Sequence, residues 1–342
     1  MQDVFSLTRS LVDIESITGN EFPVSVFLEN VLHDLAARFE GTVERIEVEP
    51  RRDNLYCVFG EPWVTLSTHM DTVPPFFPSR ETETEIWGRG ACDVKGLLAA
   101  MICAVEKLLE SGERNLALLF VVGEERNSVG AYHAGKHGKG SRFLINGEPT
   151  EGKLALGSKG ALRLEVVASG RMAHSAYPEL GESAIEKLLD ALAAIRALPL
   201  PQHEILGSST LNIGLLSGGR APNVIPDQAK AELLIRLVDD GDSTVAAIRN
   251  AVEGLVEVNE VLRIPAVLLG GQEFVADGFA TMVASYTTDI PAFGGAWGQP
   301  YLFGPGTIHV AHTSEERIGK QELAAAVDQY AFLAKRLLEK CC

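Results

Sequence analysis

Apolar residues recur at helical spacing along the first stretch, at Val4, Leu7, Leu11 and Ile14, and predict an amphipathic helix. A turn, SITGN, separates it from a second amphipathic pattern over about 22–39. The segments VERIEVE, NLYCVFG and WVTLSTH then read as strands. The last is almost wholly apolar or β-branched, as a strand covered on both faces should be. Helix and strand patterns alternate from there: a helix over 96–109, the strand LALLFVV, a short helix over 129–137 and the strand RFLIN. Such alternation predicts an α/β fold, a mostly parallel sheet sandwiched by helices. In folds of this kind binding groups collect beyond the carboxyl ends of the strands.

From about residue 159 the rhythm changes. ALRLEVVASG reads as a strand, SAIEKLLDALAAIRAL as a helix, TLNIGLLSGG and AKAELLIRLV as strands, STVAAIRNAVEGLV as a helix and EVLRIPAV as a last strand. The order β-α-β-β-α-β is the ferredoxin-like pattern. The chain then returns to a strand, PYLFGPG, and a long helix over 320–339. The expected organisation is an α/β domain built from 1–158 and 265–342, interrupted by an inserted ferredoxin-like domain over 159–264.

Length agrees, since 342 residues correspond to about two domains of roughly 150 residues. Apolar residues make up 46 % and charged residues 22 %, the balance of a soluble globular chain. Lys and Arg number 30 against 46 Asp and Glu, a formal charge of −16, which argues against nonspecific binding to nucleic acid or an anionic membrane. Cys57, Cys92, Cys103, Cys341 and Cys342 show no CxxC spacing, so a reducing compartment is expected rather than a disulfide framework. The apolar run Leu97–Val105 is too short to span a bilayer, and the opening MQDVFSLTRSLVDI lacks the layout of a signal peptide. These features make a cytoplasmic protein the expectation.

Five segments place polar groups at or beyond strand ends. In STHMDTVPP, His69 and Asp71 are two apart and share a face of an extended segment. A carboxylate there can orient a metal-binding imidazole, although His-x-Asp alone also occurs at caps and surfaces. GRGACDVKG sets Asp93 among glycines at a strand-to-helix turn, where it could equally be a helix N-cap. Neither GxGxxG nor GxxxxGK[ST] is present, which removes the nucleotide-loop reading. VVGEE ends an apolar strand on Glu124 and Glu125, and adjacent acids there repel unless a cation lies between them. INGEP brings Glu148 to another strand end. GPGTIHVAHTSEE carries His309, His312, Glu315 and Glu316, of which His309, Glu315 and Glu316 read as solvated loop or cap residues. His69, Asp93, Glu125, Glu148 and His312 together form an N/O ligand set suited to Zn, Co or Mn, and two ions fit if one carboxylate bridges. Glu124 remains as a spare carboxylate for a water-activating base.

The ordered set HMDTVP, GRGACDVKG, GEE, GEP and AHTSEE resembles the dinuclear-metal family of acetylornithine deacetylase, succinyl-diaminopimelate desuccinylase, aminoacylase and glutamate carboxypeptidase. The resemblance spans essentially the whole chain. It implies two divalent ions per chain, with zinc first and cobalt or manganese as alternatives. One would be held by His69 and Glu148, the other by Glu125 and His312, with Asp93 bridging. Asp71 would orient His69, Glu124 would act as general base, and a cis peptide would fall at Asp93–Val94. In the inserted domain, GRMAHSAYPELGESAI resembles a lid segment whose histidine, here His174, stabilises an oxyanion in a neighbouring subunit's site. GGRAPNVIPDQAKAELLIR resembles a substrate-contact segment, here Asn223 and Arg236. The implied enzyme is a homodimer that hydrolyses the amide of an N-acyl amino acid. A dipeptidase or carboxypeptidase is the alternative, and a non-catalytic binding protein the reading from another class. Thr288, Asp289 and Ile290 stand where acetylornithine deacetylase-like chains carry Thr-Glu-Ala.

Overall fold

The structure is a computed structural model and describes residues 3–341. The chain divides into two units, one of Met1–Leu156, Leu269–Met282 and Thr288–Cys342, the other of Gly157–Leu268 and Val283–Thr287.

At the centre of the first unit four strands lie parallel, in the order Leu116–Val121, Val64–His69, Phe143–Asn146 and Gln299–Leu302. Antiparallel strands flank them: Arg52–Phe59 and then Thr42–Glu49 on one side, Leu154–Ser158 on the other. Alternate residues of Leu116–Val121 point to opposite faces and both faces are covered, which is why this strand is apolar throughout. Leu116, Leu118 and Phe120 join the core made with helices Val4–Val12, Phe22–Phe39, Lys95–Glu110 and Lys320–Glu339. Ala117, Leu119 and Val121 face the other way, onto Ala131, Ala134, Phe293 and Trp297. Each fully buried Leu contributes roughly 1.5–3 kcal/mol, so both faces hold the strand in place. The parallel strands are in register, with His69 opposite Val121 and Ser67 opposite Asn146. The segments leaving their carboxyl ends therefore emerge side by side, which is what assembles the site.

The second unit follows the chain order strand Gly160–Ser169, helix Ala184–Ala197, strands Thr210–Gly218 and Gln228–Leu237, helix Asp242–Ala251 and strand Glu257–Ile264. Its sheet is antiparallel, ordered Thr210–Gly218, Gln228–Leu237, Gly160–Ser169, Glu257–Ile264. Leu162, Leu164, Val166, Leu233 and Ile235 pack in one core with Leu188, Leu192 and Ile195 of the first helix and Val245 and Ile248 of the second. Alternate residues, Arg163, Glu165, Lys230, Glu232 and Arg236, lie on the opposite face of the sheet. The Ser183 hydroxyl accepts from the Glu186 amide at 3.3 Å and starts the first helix. The α/β class with a mostly parallel central sheet and a ferredoxin-like order is thus observed.

Among the described residues Cys57, Cys92 and Cys341 are free thiols, and no helix is long and apolar enough to cross a membrane.

Candidate metal centre

Asp93 organises the site. Its Oδ1 lies 3.3 Å from Nε2 of His69 and its Oδ2 3.2 Å from Nε2 of His312. The same His312 nitrogen is 2.9 Å from Glu125 Oε2. Two clusters of possible ligands result, His69–Asp93–Glu148 and Asp93–Glu125–His312, each with its donor atoms within 4.8 Å of one another. Asp93 alone belongs to both. Helix Lys95–Glu110 has Val94 at its capping position and no side-chain cap, so the N-cap alternative for Asp93 is overturned. The Asp93–Val94 peptide is cis.

The turn that carries Asp93 depends on glycine. Gly88 sits at φ 145°, and a Cβ there would meet Val12 Cγ1 at 2.3 Å. Gly90, at φ 86°, would press on Lys95 and Thr72, both at 2.9 Å. His69 is only 1 % exposed, and its Nδ1 lies 2.9 Å from the backbone oxygen of Asp71. If Nδ1 donates there, Nε2 presents a lone pair to an Asp93 oxygen, and two facing acceptors require a proton or a cation between them. The Asp71 carboxylate is spent mainly on the acidic turn. Oδ1 accepts the Gly123 and Glu124 amides at 3.0 and 3.1 Å, and Oδ2 accepts the Glu125 amide at 3.3 Å and the Thr18 hydroxyl at 2.8 Å. Its Oδ1 is 3.5 Å from His69 Nδ1, so the closer tie to the imidazole is the backbone oxygen. His312 is held at φ 62°, a left-handed backbone unusual for a non-glycine residue, and half of its side chain is exposed.

Charge in the cluster is unbalanced in the way a cation would correct. Burial, reinforced by neighbouring acids against the pull of His69, lifts Glu124 and Glu148 well above the usual carboxylate range. Burial also opposes ionisation of Asp93, but hydrogen bonds from His312 and His69 outweigh it and hold that carboxyl low. Contacts with Asp93 and Glu125 raise His312 to about 10. Oε1 of Glu125 and Oε1 of Glu148 are buried with no hydrogen-bond partner, and such acceptors are costly unless a cation serves them. The residues therefore fit two divalent ions, with the donors expected for zinc, cobalt or manganese.

Sequence reasoning passed over two further acids. Asp289, 1 % exposed, lies close enough to act electrostatically on Glu124, and burial lifts its carboxyl to about 7. Its only signal was its place in Thr288–Asp289–Ile290. Glu316 was expected in a solvated loop or cap, as were His309 and Glu315. Those two are exposed, but Glu316 is fully buried, and that expectation is corrected.

The remaining expected residues lie in the second unit. His174 pairs with Val224 in a short two-stranded ribbon, and the Ser175 amide donates to the Asn223 backbone oxygen at 3.0 Å, so His174 and Asn223 are brought together. Both are exposed. His174 Nδ1 accepts from the Ala176 amide at 3.1 Å, which puts the proton of the neutral ring on Nε2. Arg236 is half-buried on the sheet and makes no ion pair among the described residues, while burial lowers its pKa.

Residues 156–260 match the family model of a peptidase dimerisation domain of the M20 type. A peptidase M20 domain-containing protein of Schizosaccharomyces pombe is 39 % identical over 339 residues, covering 96 % of this chain and 83 % of that one. The chain belongs to the M20 peptidase family. It is accordingly a hydrolase of amide bonds. A probable carboxypeptidase of Aspergillus niger is 36 % identical over 382 residues, covering 98 % of this M20 chain and 90 % of its own length. The fold also matches a dinuclear metal-binding M20 peptidase of Bacillus subtilis, with a TM-score of 0.71 at 17 % identity over 98 % of each chain.

Proposed function

We propose that this M20 peptidase hydrolyses an amide whose leaving amine carries a free α-carboxylate, using two divalent ions bridged by Asp93. The observation that carries the reading is the sharing of Asp93 between two ligand clusters, one oxygen toward each histidine. Within the class, release of a carboxy-terminal residue from a short peptide is favoured by the Aspergillus niger relative, named a probable carboxypeptidase. Deacylation of an N-acyl amino acid, as in acetylornithine deacetylase, is the second reading and rests on the motif order from HMDTVP to AHTSEE.

His69 and Glu148 would hold one ion, Glu125 and His312 the other. Bound there, the ions would supply Lewis acidity toward the carbonyl and toward water. Glu124 takes a proton from the attacking water and returns it to the leaving amine, a task suited to a carboxyl whose burial raises its proton affinity. Asp71 keeps the Glu124 backbone fixed while the proton moves. His174 offers an Nε2–H donor to the developing oxyanion. Arg236, with Asn223, receives the substrate carboxylate, because a guanidinium matches two carboxylate oxygens.

The inserted unit, residues 159–264, is read as a lid and dimerisation domain. Its edge strand Thr210–Gly218 exposes Leu215 and Leu216, 62 % and 59 %, and the neighbouring helix exposes Leu189. An open edge with apolar side chains needs a partner, and a second copy is the simplest symmetric one. A panel of N-acetyl amino acids (acetylornithine among them), dipeptides and longer peptides, run on zinc- or cobalt-loaded protein, tests the reading. Turnover of peptides with a free carboxy-terminus is expected. Equal turnover of the same peptides with an amidated carboxy-terminus, run beside the panel, would overturn it.

A further inference from the structure

Glu316 is four residues beyond His312 and has no exposed surface. One carboxylate oxygen, Oε1, accepts three backbone amides of the opposite loop: Gly90 at 2.9 Å, Asp93 at 3.0 Å and Cys92 at 3.2 Å. The other, Oε2, takes Arg89 Nη1 at 2.5 Å, and Arg89 is itself buried with Nε on the Pro75 carbonyl at 3.2 Å. The Glu316 backbone joins in as well, its oxygen accepting the Gly88 amide at 3.1 Å where Arg317–Gly319 pairs with Glu85–Trp87. One side chain thus ties together two segments more than 220 residues apart, of which one ends on Asp93 and the other begins just after His312.

Three amides converging on one oxygen fix the plane of the peptide that leads into Asp93, and hence the direction from which its two oxygens approach the histidines. We propose that Glu316 is a positioning residue: with Arg89 as its counter-ion, it sets the spacing between Asp93 and His312 and so the geometry of the bridged centre. Glu316 belongs to neither ligand cluster. The inference rests on the metal-centre reading above and goes beyond it, naming the group that holds the shared ligand in place.

Two variants separate position from charge. Glu316→Asp keeps the charge but withdraws the carboxylate by one methylene from the three amides. Glu316→Gln keeps the reach but loses the charge that Arg89 faces. Both are compared with Glu106→Gln, which alters another buried glutamate paired to an arginine, Arg38, on the far part of helix Lys95–Glu110. Metal-free protein is titrated calorimetrically with Zn2+ and Co2+, the Co2+ visible spectrum is recorded, and thermal unfolding is followed without metal. Wild type is expected to bind two ions. Glu316→Asp should weaken the ion at Asp93, Glu125 and His312 by about 10–100-fold and alter the Co2+ spectrum, with the ion at His69 and Glu148 less affected. Glu316→Gln should change the same two readouts in the same direction. Glu106→Gln should lower the unfolding temperature and leave affinity and spectrum unchanged. Wild-type affinities and spectrum in both Glu316 variants, with only a lower unfolding temperature, would overturn the proposal and leave the metal centre intact. Fewer than two ions bound by wild type would overturn the metal-centre reading and this one together.

Discussion

The two units differ in how they hold their candidate site residues, His312 of the first unit being half exposed. In the first unit His69, Asp71, Asp93 and Glu148 are each no more than 4 % exposed, and every one is fastened by backbone or side-chain partners or faces another ligand. In the second, His174 and Asn223 are exposed and Arg236 is half-buried. The ring of His174 is tied by one hydrogen bond from Ala176 and an edge contact with Tyr177 at 6.4 Å. A centre that concentrates carboxylates must be preorganised, because each unpaired buried acid is costly and only a fixed geometry lets cations repay it. Groups that grip a substrate gain from the opposite state, open until the substrate arrives. On the proposed function the difference would divide the labour, with charge set in advance by one unit and recognition left to the other.

Removing the ions should have the largest effect. Exhaustive chelation is expected to abolish hydrolysis, and Zn2+ or Co2+ to restore it, while metal-free protein should unfold at lower temperature because Glu124, Glu125, Glu148 and Asp93 lose their counter-charge. Activity that survived chelation would end the view of the first unit as a preorganised metal centre.

The next test splits two adjacent acids. Glu124→Gln should keep both ions and lose roughly two or more orders of magnitude in kcat, since an amide cannot take the proton. Glu125→Gln should weaken metal binding, because its Oε2 faces His312 at 2.9 Å. Metal analysis beside steady-state kinetics decides the matter. Loss of metal from Glu124→Gln with activity preserved would reverse the roles.

How much of this was legible in the sequence follows the same division. Helices such as Phe22–Phe39 and Lys320–Glu339 were readable because one apolar stripe meets one core, and 3.6-residue periodicity records that directly. The five candidate ligands could be picked out because each lies at the end of an apolar strand or in a glycine-rich turn or loop, and the structure gathers them into two clusters. Glu316 was not, since its partners are backbone amides 223–226 positions away, and amides carry no mark in the sequence. Glu315 is chemically the same residue and is exposed. The grip of Asp71 on Gly123, Glu124 and Glu125 was hidden for the same reason. The exposure of His174 and Asn223 concerns what faces them, which a single chain does not record.

The second unit's contribution can be tested by mixing. His174→Ala and Glu124→Gln are each expected to be inactive. If His174 serves the site of a second copy, exchanging subunits between the two variants should restore activity at one of the two sites in a mixed dimer. No recovery after verified exchange would place its action within its own chain. Arg236→Lys should raise KM by about tenfold and change kcat less, because an ammonium cannot hold two carboxylate oxygens at once. An unchanged KM would remove Arg236 from substrate recognition.

The smallest expected effect lies in the loop that carries Asn223. Arg220 spans it, with Nε and Nη2 each 3.0 Å from an oxygen of Asp227, and the pair is open to solvent. Hydrogen bonding to Arg220, with smaller help from a backbone amide, lowers the Asp227 carboxyl from its usual range. A carboxyl depressed in the folded state contributes stability above its unfolded pKa, and that contribution fades as pH falls through the folded one. Solvent screening keeps the effect modest, so Asp227→Asn should leave global unfolding and the metal centre nearly untouched. It should instead speed amide exchange over 219–226 by a few-fold at neutral pH, and the excess over wild type should vanish in acid, where wild-type Asp227 is itself neutral. Exchange identical to wild type at every pH would show that the loop is held by its turn alone. Asn223 would then be as firmly placed as the residues of the first unit, and the contrast between the two units would narrow to His174.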